Sequence, residues 1–462
     1  MKWNCRNQAH RQLKSDCEYP PDKRKDAEKI MNEHEKIKNA IRSVPVIDSH
    51  EHLTPDTAKR IGLDLIDACT RQYLCHDLVS SGMSPESVFK LSDPAVSAAQ
   101  KAELLFPWLD CVKITGYGQL MQAALEQLES GLCLTPETAA HAEALYEEHV
   151  ADRPLKNYIQ SRTKIRCCMV DWMPLDWRFD DPFYIQVYNP LFLIIPENET
   201  RIQKLGVFSG IRIHSLMDYL QAVRRCVEKK YREQGVRVLK LSIAYHRNLC
   251  FRHPSMEAAA REYHACMERA LYYRGGLSAG LGFDACTAFQ DAVLHTILQT
   301  AEALHMTVQL HTGYMAGNFG DFRNGDPSTL IPVFKEYSGV CFDLFHMSYP
   351  YEKEAGLLAK MYPNVYVNLC WSHVLSPQAV VQTLTDWLQL VPLNKIIGFG
   401  ADTSVGFDIP AHLELAYRNL EKVFCRLADD GIWTADDASD AAYRLLYDNP
   451  IKLYQLETPE RK

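Results

Sequence analysis

The sequence has no run approaching the ~18 apolar residues of a membrane-spanning helix, so no span is expected. It has no C-x-x-C pair. Its 15 cysteines are odd in number and scattered, several inside apolar strings such as VCFDLFH and VNLCW. That distribution excludes a disulfide framework and suits buried thiols in a reducing compartment. A basic excess is also missing: 50 Lys and Arg stand against 58 Asp and Glu, a formal net charge of -8. A nucleic-acid-binding face is therefore not expected. The N-terminal stretch MKWNCRNQAHRQLKSDCEYPPDKRKD is polar and lacks the apolar core of a secretory signal, so the expected location is cytoplasmic. Internal repeats and low-complexity tracts are absent. What remains, 47% hydrophobic and 23% charged residues, is ordinary for a soluble globular protein. At 462 residues the chain exceeds one small core, yet an α/β barrel with insertions reaches this length as one domain.

Apolar runs recur along the chain at 44–48, 165–170 (IRCCMV), 191–196 (LFLIIP), 236–242 (VRVLKLS), 306–311 (MTVQLH), 340–346 (VCFDLFH), 364–370 (NVYVNLC) and 395–402 (KIIGFGAD). Helical patterns such as LMDYLQAVRRCVEKKYREQG and AFQDAVLHTILQTAEALH separate them. From His311 to His346, Cys370 and Asp402 the steps are 35, 24 and 32 residues, each enough for one strand, one helix and their loops. Near-continuous apolar strands alternating with helices imply a parallel sheet covered on both faces. Eight of them predict an α/β fold of the (β/α)8 TIM-like barrel type; a doubly wound open sheet is the alternative. Residues 1–43 read as an N-terminal helical extension and 44–452 as the barrel. The barrel includes a helical insertion over about 55–160, in which Thr135 and Pro136 look like a cap and first turn. Residues 453–462 read as a C-terminal tail.

The polar residues gather where these strands end. VIDSHEHL places His50 and His52 two apart, on one face of a strand, with Glu51 facing away and Asp48 able to orient a ligand from behind. Lys240 lies in the fourth run, a charge that a buried strand must pair or use. His311 ends the fifth run, His346 the sixth and Asp402 the eighth. In a parallel barrel these ends converge on one mouth. Three imidazoles and a carboxylate there satisfy a catalytic divalent metal with an open position. Each residue also has a structural reading: His311 as a satisfied core histidine, His346 as a loop cap, Asp402 as a helix N-cap.

VIDSHEHL, LHTGY, FHMSYP and FGADTS together resemble the amidohydrolase superfamily, in its amidohydrolase-related second branch. The resemblance runs over roughly 44–452. It is most specific in 306–402, where HTGYMAGNFGDFRNGDP and HMSYPYEKEAGLLAKMYPNVYVNL, with KLSIAYHRNL further upstream, look like the amidohydrolase half of nodulin-type glutamine synthetase fusions. Length and helical insertion are similar to uronate isomerase, though the loop after His311 is not. The resemblance implies His50, His52, His311 and Asp402 as metal ligands. His346 would hold a second metal or act on the substrate, and Asp402 would also accept a proton from bound water. Lys240, on the strand where two-metal members place a bridging group, is read as a plain ammonium that meets a substrate carboxylate. One ion is therefore favoured over two, with zinc ahead of Mn, Fe or Ni.

The expected activity is hydrolysis of an amide or related C–N bond in a small carboxylate-bearing substrate. Asp402, His346 and Lys240 would be the catalytic residues, and Tyr245, Arg247, Tyr314, Arg323 and Trp371 would bind the substrate. Arg323, in the loop GNFGDFRNGDP, would clamp a carboxylate with its two-pronged guanidinium. Asn449 reads as a turn or cap without chemistry. The first rival is aldose–ketose isomerisation of a uronate. Non-oxidative decarboxylation fits less well, because that subgroup commonly has Glu-x-His where His50 and His52 stand. A non-catalytic, metal-stabilised module is the fourth reading. The expected partner is a small molecule, with neither nucleic acid nor membrane, and homo-oligomerisation is left open.

Overall fold

The computed structural model describes residues 21–54, 63–151, 154–196, 199–272 and 286–457. Eight parallel strands run in sequential order: β1 (Val46–Glu51), β2 (Ile165–Trp172), β3 (Tyr184–Tyr188), β4 (Val238–Leu241), β5 (Thr307–Leu310), β6 (Cys341–Leu344), β7 (Val365–Asn368) and β8 (Ile396–Ile397). Backbone bonds bring the end of the set back to its start. Ser49 N–H donates to Phe399 O (3.2 Å), Asp402 N–H to His50 O (2.9 Å) and His52 N–H to Thr403 O (3.0 Å). The fold is the (β/α)8 barrel that the strand count predicts. No helix among the described residues is long and apolar enough to cross a membrane.

One strand is not where the apolar pattern puts it. LFLIIP is a short buried helix, Leu191–Ile194, and the third strand is YIQVY just before it. Four to six apolar residues do not distinguish a buried strand from a buried helical turn. Here Pro190 supplies no N–H for a ladder, and Asn189 Oδ1 accepts from Leu191 N–H (3.0 Å), turning the chain into the helix. β8 is also shorter than 395–402, because the backbone after Ile397 leaves the ladder; Gly398 N–H bonds to Leu445 O (2.8 Å) instead.

Gly400 marks the tightest point of that closure. A Cβ there would lie 2.6 Å from Ser49 Oγ and 2.8 Å from Cys370 Sγ. Gly400→Ala is expected to cost about 1–3 kcal/mol through overpacking. A lowered urea midpoint at unchanged slope would show it, and an unchanged midpoint would mean that β1 and β7 yield freely.

After β1 the chain builds the helical insertion, with described helices from Leu65–Thr70 to Leu155–Arg162. Side chains at their first turns explain where several begin: Asp64, Ser84 and Thr115 each accept from an N–H three residues on, and Ser97 forms a reciprocal box with Gln100. Thr135 and Pro136 form a turn instead, and the helix they were expected to start runs Ala139–Tyr146. Gly116, first residue of the helix Gly116–Leu128, lets that helix reach the barrel, since a Cβ there would fall 1.9 Å from the Val374 carbonyl oxygen. The expected extension at 1–43 holds a helix, Pro21–Ser43, docked on helices Ile409–Asp429 and Ala435–Tyr443; residues 1–20 lie outside the described residues. The boundary drawn at 452 falls inside the fold. Tyr454 is fully buried with its hydroxyl donating to Asp343 Oδ2 (2.5 Å), and Leu453 O accepts from Thr307 Oγ (2.6 Å).

Candidate metal centre

Every strand end contributes to one mouth. His50 and His52 come from the end of β1, Asp171 from β2, Asn189 from just after β3, and Lys240 and Ser242 from β4. His311 follows β5, His346 follows β6, Cys370 and Trp371 follow β7, and Asp402 follows β8. A cavity of about 360 Å³ opens there, walled by His52, Asp171, Asn189, Lys240, Ser242, Tyr245, His246, His311, Trp371 and Asp402 from the barrel. Met173, Leu191 and Ala316 add apolar stretches, and Gln72 and Tyr73 join the wall from the insertion.

The backbone is strained where it delivers these groups. His346 (φ 64°), Met347 (53°), Ser348 (56°), Trp371 (61°) and Asp402 (59°) are all left-handed without being glycine. Each such residue costs about 1–3 kcal/mol, and clusters of them mark functional sites. Asp402 does not cap a helix: the next helix starts at Ile409, with Asp408 as the residue before it.

Two donor clusters meet at Asp402. His50, His52 and Asp171 offer ligand atoms within 4.8 Å of one another, and so do His346, Cys370 and Asp402. Asp402 Oδ1 lies 3.1 Å from His52 Nε2 and 3.6 Å from His50 Nε2, while Oδ2 lies 3.7 Å from His346 Nε2. Asp171 Oδ2 stands 3.9 Å from His50 Nε2 and 4.0 Å from His52 Nδ1. Apart from the 3.1 Å contact between His52 and Asp402, these gaps are too long for hydrogen bonds and leave space between ligand atoms.

The donor chemistry fits a cation. His50 is fully buried and neither of its ring nitrogens has a hydrogen-bond partner, a costly state for a polar side chain. Burial and the nearby Lys240 charge hold its pKa well below the ordinary imidazole value, so it is neutral and keeps a lone pair. His311 and His346 make the point more sharply. His346 Nδ1–H donates to Cys370 O (3.0 Å), and His311 Nε2–H donates to Tyr314 O (3.0 Å). Each neutral ring then has its lone pair on the other nitrogen, and those two nitrogens face each other at 3.0 Å. Burial lowers both pKa values, His346 to about 4, so a shared proton is disfavoured. A metal ion is the natural partner for facing lone pairs.

The carboxylates differ. Burial works against the Asp402 anion, but the His52 hydrogen bond and the imidazoles of His50, His52 and His346 around it hold its pKa below the usual range. Burial raises Asp171, with His52 and Lys240 opposing. Burial lowers Lys240, against the pull of Asp402 and Asp171, and its ammonium sits 3.9 Å above the centre of the Phe345 ring. Behind the site, Asp48 accepts from His50 N–H (3.4 Å) and Ala401 N–H (3.2 Å), and Glu51 accepts from Thr403 N–H (2.9 Å). Asp48 therefore braces β1 and β8 from behind, and Glu51 stays off the cavity wall.

The structure brings together His50, His52, His311, His346, Asp402 and Lys240, with Tyr245 and Trp371 on the wall. Tyr314 packs against Trp371 at a tilt (ring centres 5.5 Å apart, 35° between planes) and is not among the wall residues. His346 is fully buried behind His311 and Asp402, so it reaches a substrate only through them. Two expected binders are elsewhere. Arg247 is spent on a buried pair with Asp291 (2.8 Å) and bonds to Gln290 Oε1 (3.2 Å) and Cys250 O (3.1 Å). Arg323 forks onto Asp321 (2.8 and 2.7 Å) at the surface, a local pair two residues apart that satisfies the guanidinium without the cavity. Asn449 bonds to the Leu393 and Ile396 carbonyls (both 2.8 Å), the structural role expected of it. Asp171 was missed although it ends β2 as Asp402 follows β8, and the strand-end rule would have found it. Gln72, Tyr73 and Asn189 carry no sequence signal.

Residues 205–456 match the family model described as Amidohydrolase. Protein fluG of Emericella nidulans is 35% identical over 154 residues, 32% of this chain and 17% of fluG. The uronate isomerase of Phenylobacterium zucineum is 24% identical over 301 residues, 60% of this chain and 59% of the isomerase. The chain thus spans less than two thirds of the length of either curated relative. Among solved structures, the uronate isomerase of Thermotoga maritima superposes with a TM-score of 0.74 at 15% identity, covering 92% of this chain and 97% of that one.

Proposed function

This chain belongs to the amidohydrolase family, and on that premise we propose that its mouth is a metal-dependent active site interconverting the aldose and ketose forms of a small uronate. The observation that carries this reading is the composition of the cavity wall. Around the histidine–aspartate corner stand Ser242 and Tyr245, whose hydroxyls suit the hydroxyls of a sugar acid, with the Lys240 ammonium to meet a carboxylate and Met173, Leu191 and Ala316 giving the wall its apolar stretches. A curated relative bearing the name uronate isomerase supports it.

His50, His52, Asp171 and Asp402 would hold one divalent ion, zinc before Mn, Fe or Ni, with His311 at its edge. Such an ion supplies Lewis-acid polarisation of adjacent substrate oxygens. Asp402 carries the proton that leaves one carbon and returns to its neighbour, with His52 holding one carboxylate oxygen (3.1 Å). Tyr245, whose oxygen already accepts from Ala316 N–H (3.2 Å), has its own proton free for a substrate oxygen. Trp371 and Tyr73, stacked at 5.0 Å, form an apolar side that limits water.

Amide hydrolysis is the second reading, favoured by the family to which residues 205–456 match. There Asp402 takes the proton of the attacking water and returns it to the leaving amine.

Elemental analysis of the freshly purified full chain should find about one equivalent of a divalent metal, as expected for one ligand set that keeps a position open to substrate. Incubation with D-glucuronate and D-galacturonate should yield the ketose, detected by NMR, in a chelator-sensitive reaction. Release of ammonia or amine from small amides and γ-glutamyl amides, without ketose, would replace the first reading by the second. A metal-free preparation would remove both.

A further inference from the structure

Asp402 is held by the insertion as well as by the barrel. Its main-chain carbonyl accepts from the Tyr73 hydroxyl and from Gln72 Nε2 (3.3 Å). Gln72 Oε1 in turn accepts from Ser404 N–H (3.0 Å) and from the Ser404 hydroxyl. Two consecutive insertion residues thus pin both sides of the left-handed turn at Asp402 (φ 59°). The Tyr73 ring is itself fixed, stacked on Tyr117 (5.1 Å, 14°) and on Trp371 (5.0 Å, 23°). From the barrel side, the Asp402 N–H bond to His50 O (2.9 Å), the His52 N–H bond to Thr403 O (3.0 Å) and the Thr403 N–H bond to the Glu51 carboxylate (2.9 Å) hold the same turn. An unfavourable backbone conformation persists when its surroundings over-determine it, and here half of those surroundings belong to the insertion.

We propose that Gln72 and Tyr73 are positioning residues that couple docking of the helical insertion to cation binding, by clamping the Asp402–Ser404 turn. The proposal rests on the metal reading of the mouth but not on the substrate. Groups that orient a ligand from behind typically set 10–100-fold of metal affinity. Linkage then makes the effect reciprocal: if the docked insertion tightens the site, a bound ion tightens the insertion.

The test uses the full chain, stripped with chelator and titrated with Zn²⁺ against a chromophoric competitor. Tyr73→Phe keeps the ring stack and removes only the hydroxyl; Gln72→Ala removes both amide contacts. Each variant should bind Zn²⁺ about tenfold more weakly. Hydrogen exchange in the helices Leu65–Thr70 and Leu74–Ser80 should slow on Zn²⁺ addition in the parent and change less in the variants. Folding is checked separately by the thermal transition of the metal-free proteins. If Tyr73→Phe unfolds, Gln72→Asn, which shortens the amide, serves in its place. Equal affinities in parent and folded variants overturn the proposal while leaving the metal reading intact. A parent that takes up no Zn²⁺ overturns the metal reading, and the coupling with it.

Discussion

Asp402→Asn is expected to lower turnover by about 10²–10⁴-fold, the usual contribution of a positioned proton carrier, and to reduce metal content in the same preparation. The substitution preserves shape and the backbone bond from Asp402 N–H to His50 O that closes the barrel, so circular dichroism should not change. What it removes is charge. The carboxylate lies within 3.7 Å of His50, His52 and His346 alike, and it joins the two donor clusters. An amide presents one weak acceptor oxygen and two donors to imidazole lone pairs that need a cation. Measuring kcat beside elemental content separates two roles. Lost metal with lost rate assigns Asp402 to holding the ion, and retained metal with lost rate assigns it to moving the proton. Full rate with full metal would refute both.

The second large effect concerns stability. Arg247→Met should destabilise the fold by about 3–5 kcal/mol, because it strands Asp291 as an unpaired buried carboxylate. Both side chains are nearly inaccessible, 3% and 6% exposed, and Asp291 also accepts from Arg252 N–H (3.0 Å). The pair ties the segment after β4 to the helix Thr287–Ala303. Urea unfolding would register the loss, while KM for an accepted substrate should stay put, since Arg247 is not on the cavity wall. Combining Arg247→Met with Asp291→Leu should recover most of the stability, as apolar replacement of a buried ion pair usually does. A variant with normal stability and a raised KM would instead return Arg247 to the substrate.

Strand ends were the legible part of this chain. A histidine or aspartate that follows a buried parallel strand has one place to go, and His50, His52, His311, His346 and Asp402 all arrive there. Asp171 obeys the same rule and was passed over because the apolar run was ended at Val170. Side-chain direction was harder to read. Arg247 and Arg323 follow strands as Tyr245 does, yet Asp291 and Asp321 claim them, and the Asp291 pairing spans 44 residues. LFLIIP shows the limit of hydrophobic runs, where YIQVY, starting seven residues earlier, was the better strand. Gln72 and Tyr73 were out of reach, because their partner is a main-chain carbonyl more than three hundred residues away.

The bonds that return the end of the barrel to β1 carry a consequence for how the protein is made. His50 and Asp402 lie on the two sides of that seam, so the centre is built from the first strand of the barrel to be synthesised and from the segment after its last. His50 waits unpartnered through the synthesis of seven further strands. Its carboxylate neighbour arrives only once the chain beyond Ile397 is free of the exit tunnel. Domains fold as units during synthesis, and contacts this distant in sequence form late. An ion held by both clusters would accordingly be captured among the last events of folding. A chain truncated before Asp402 would carry all eight strands and still lack the carboxylate that joins the two donor clusters.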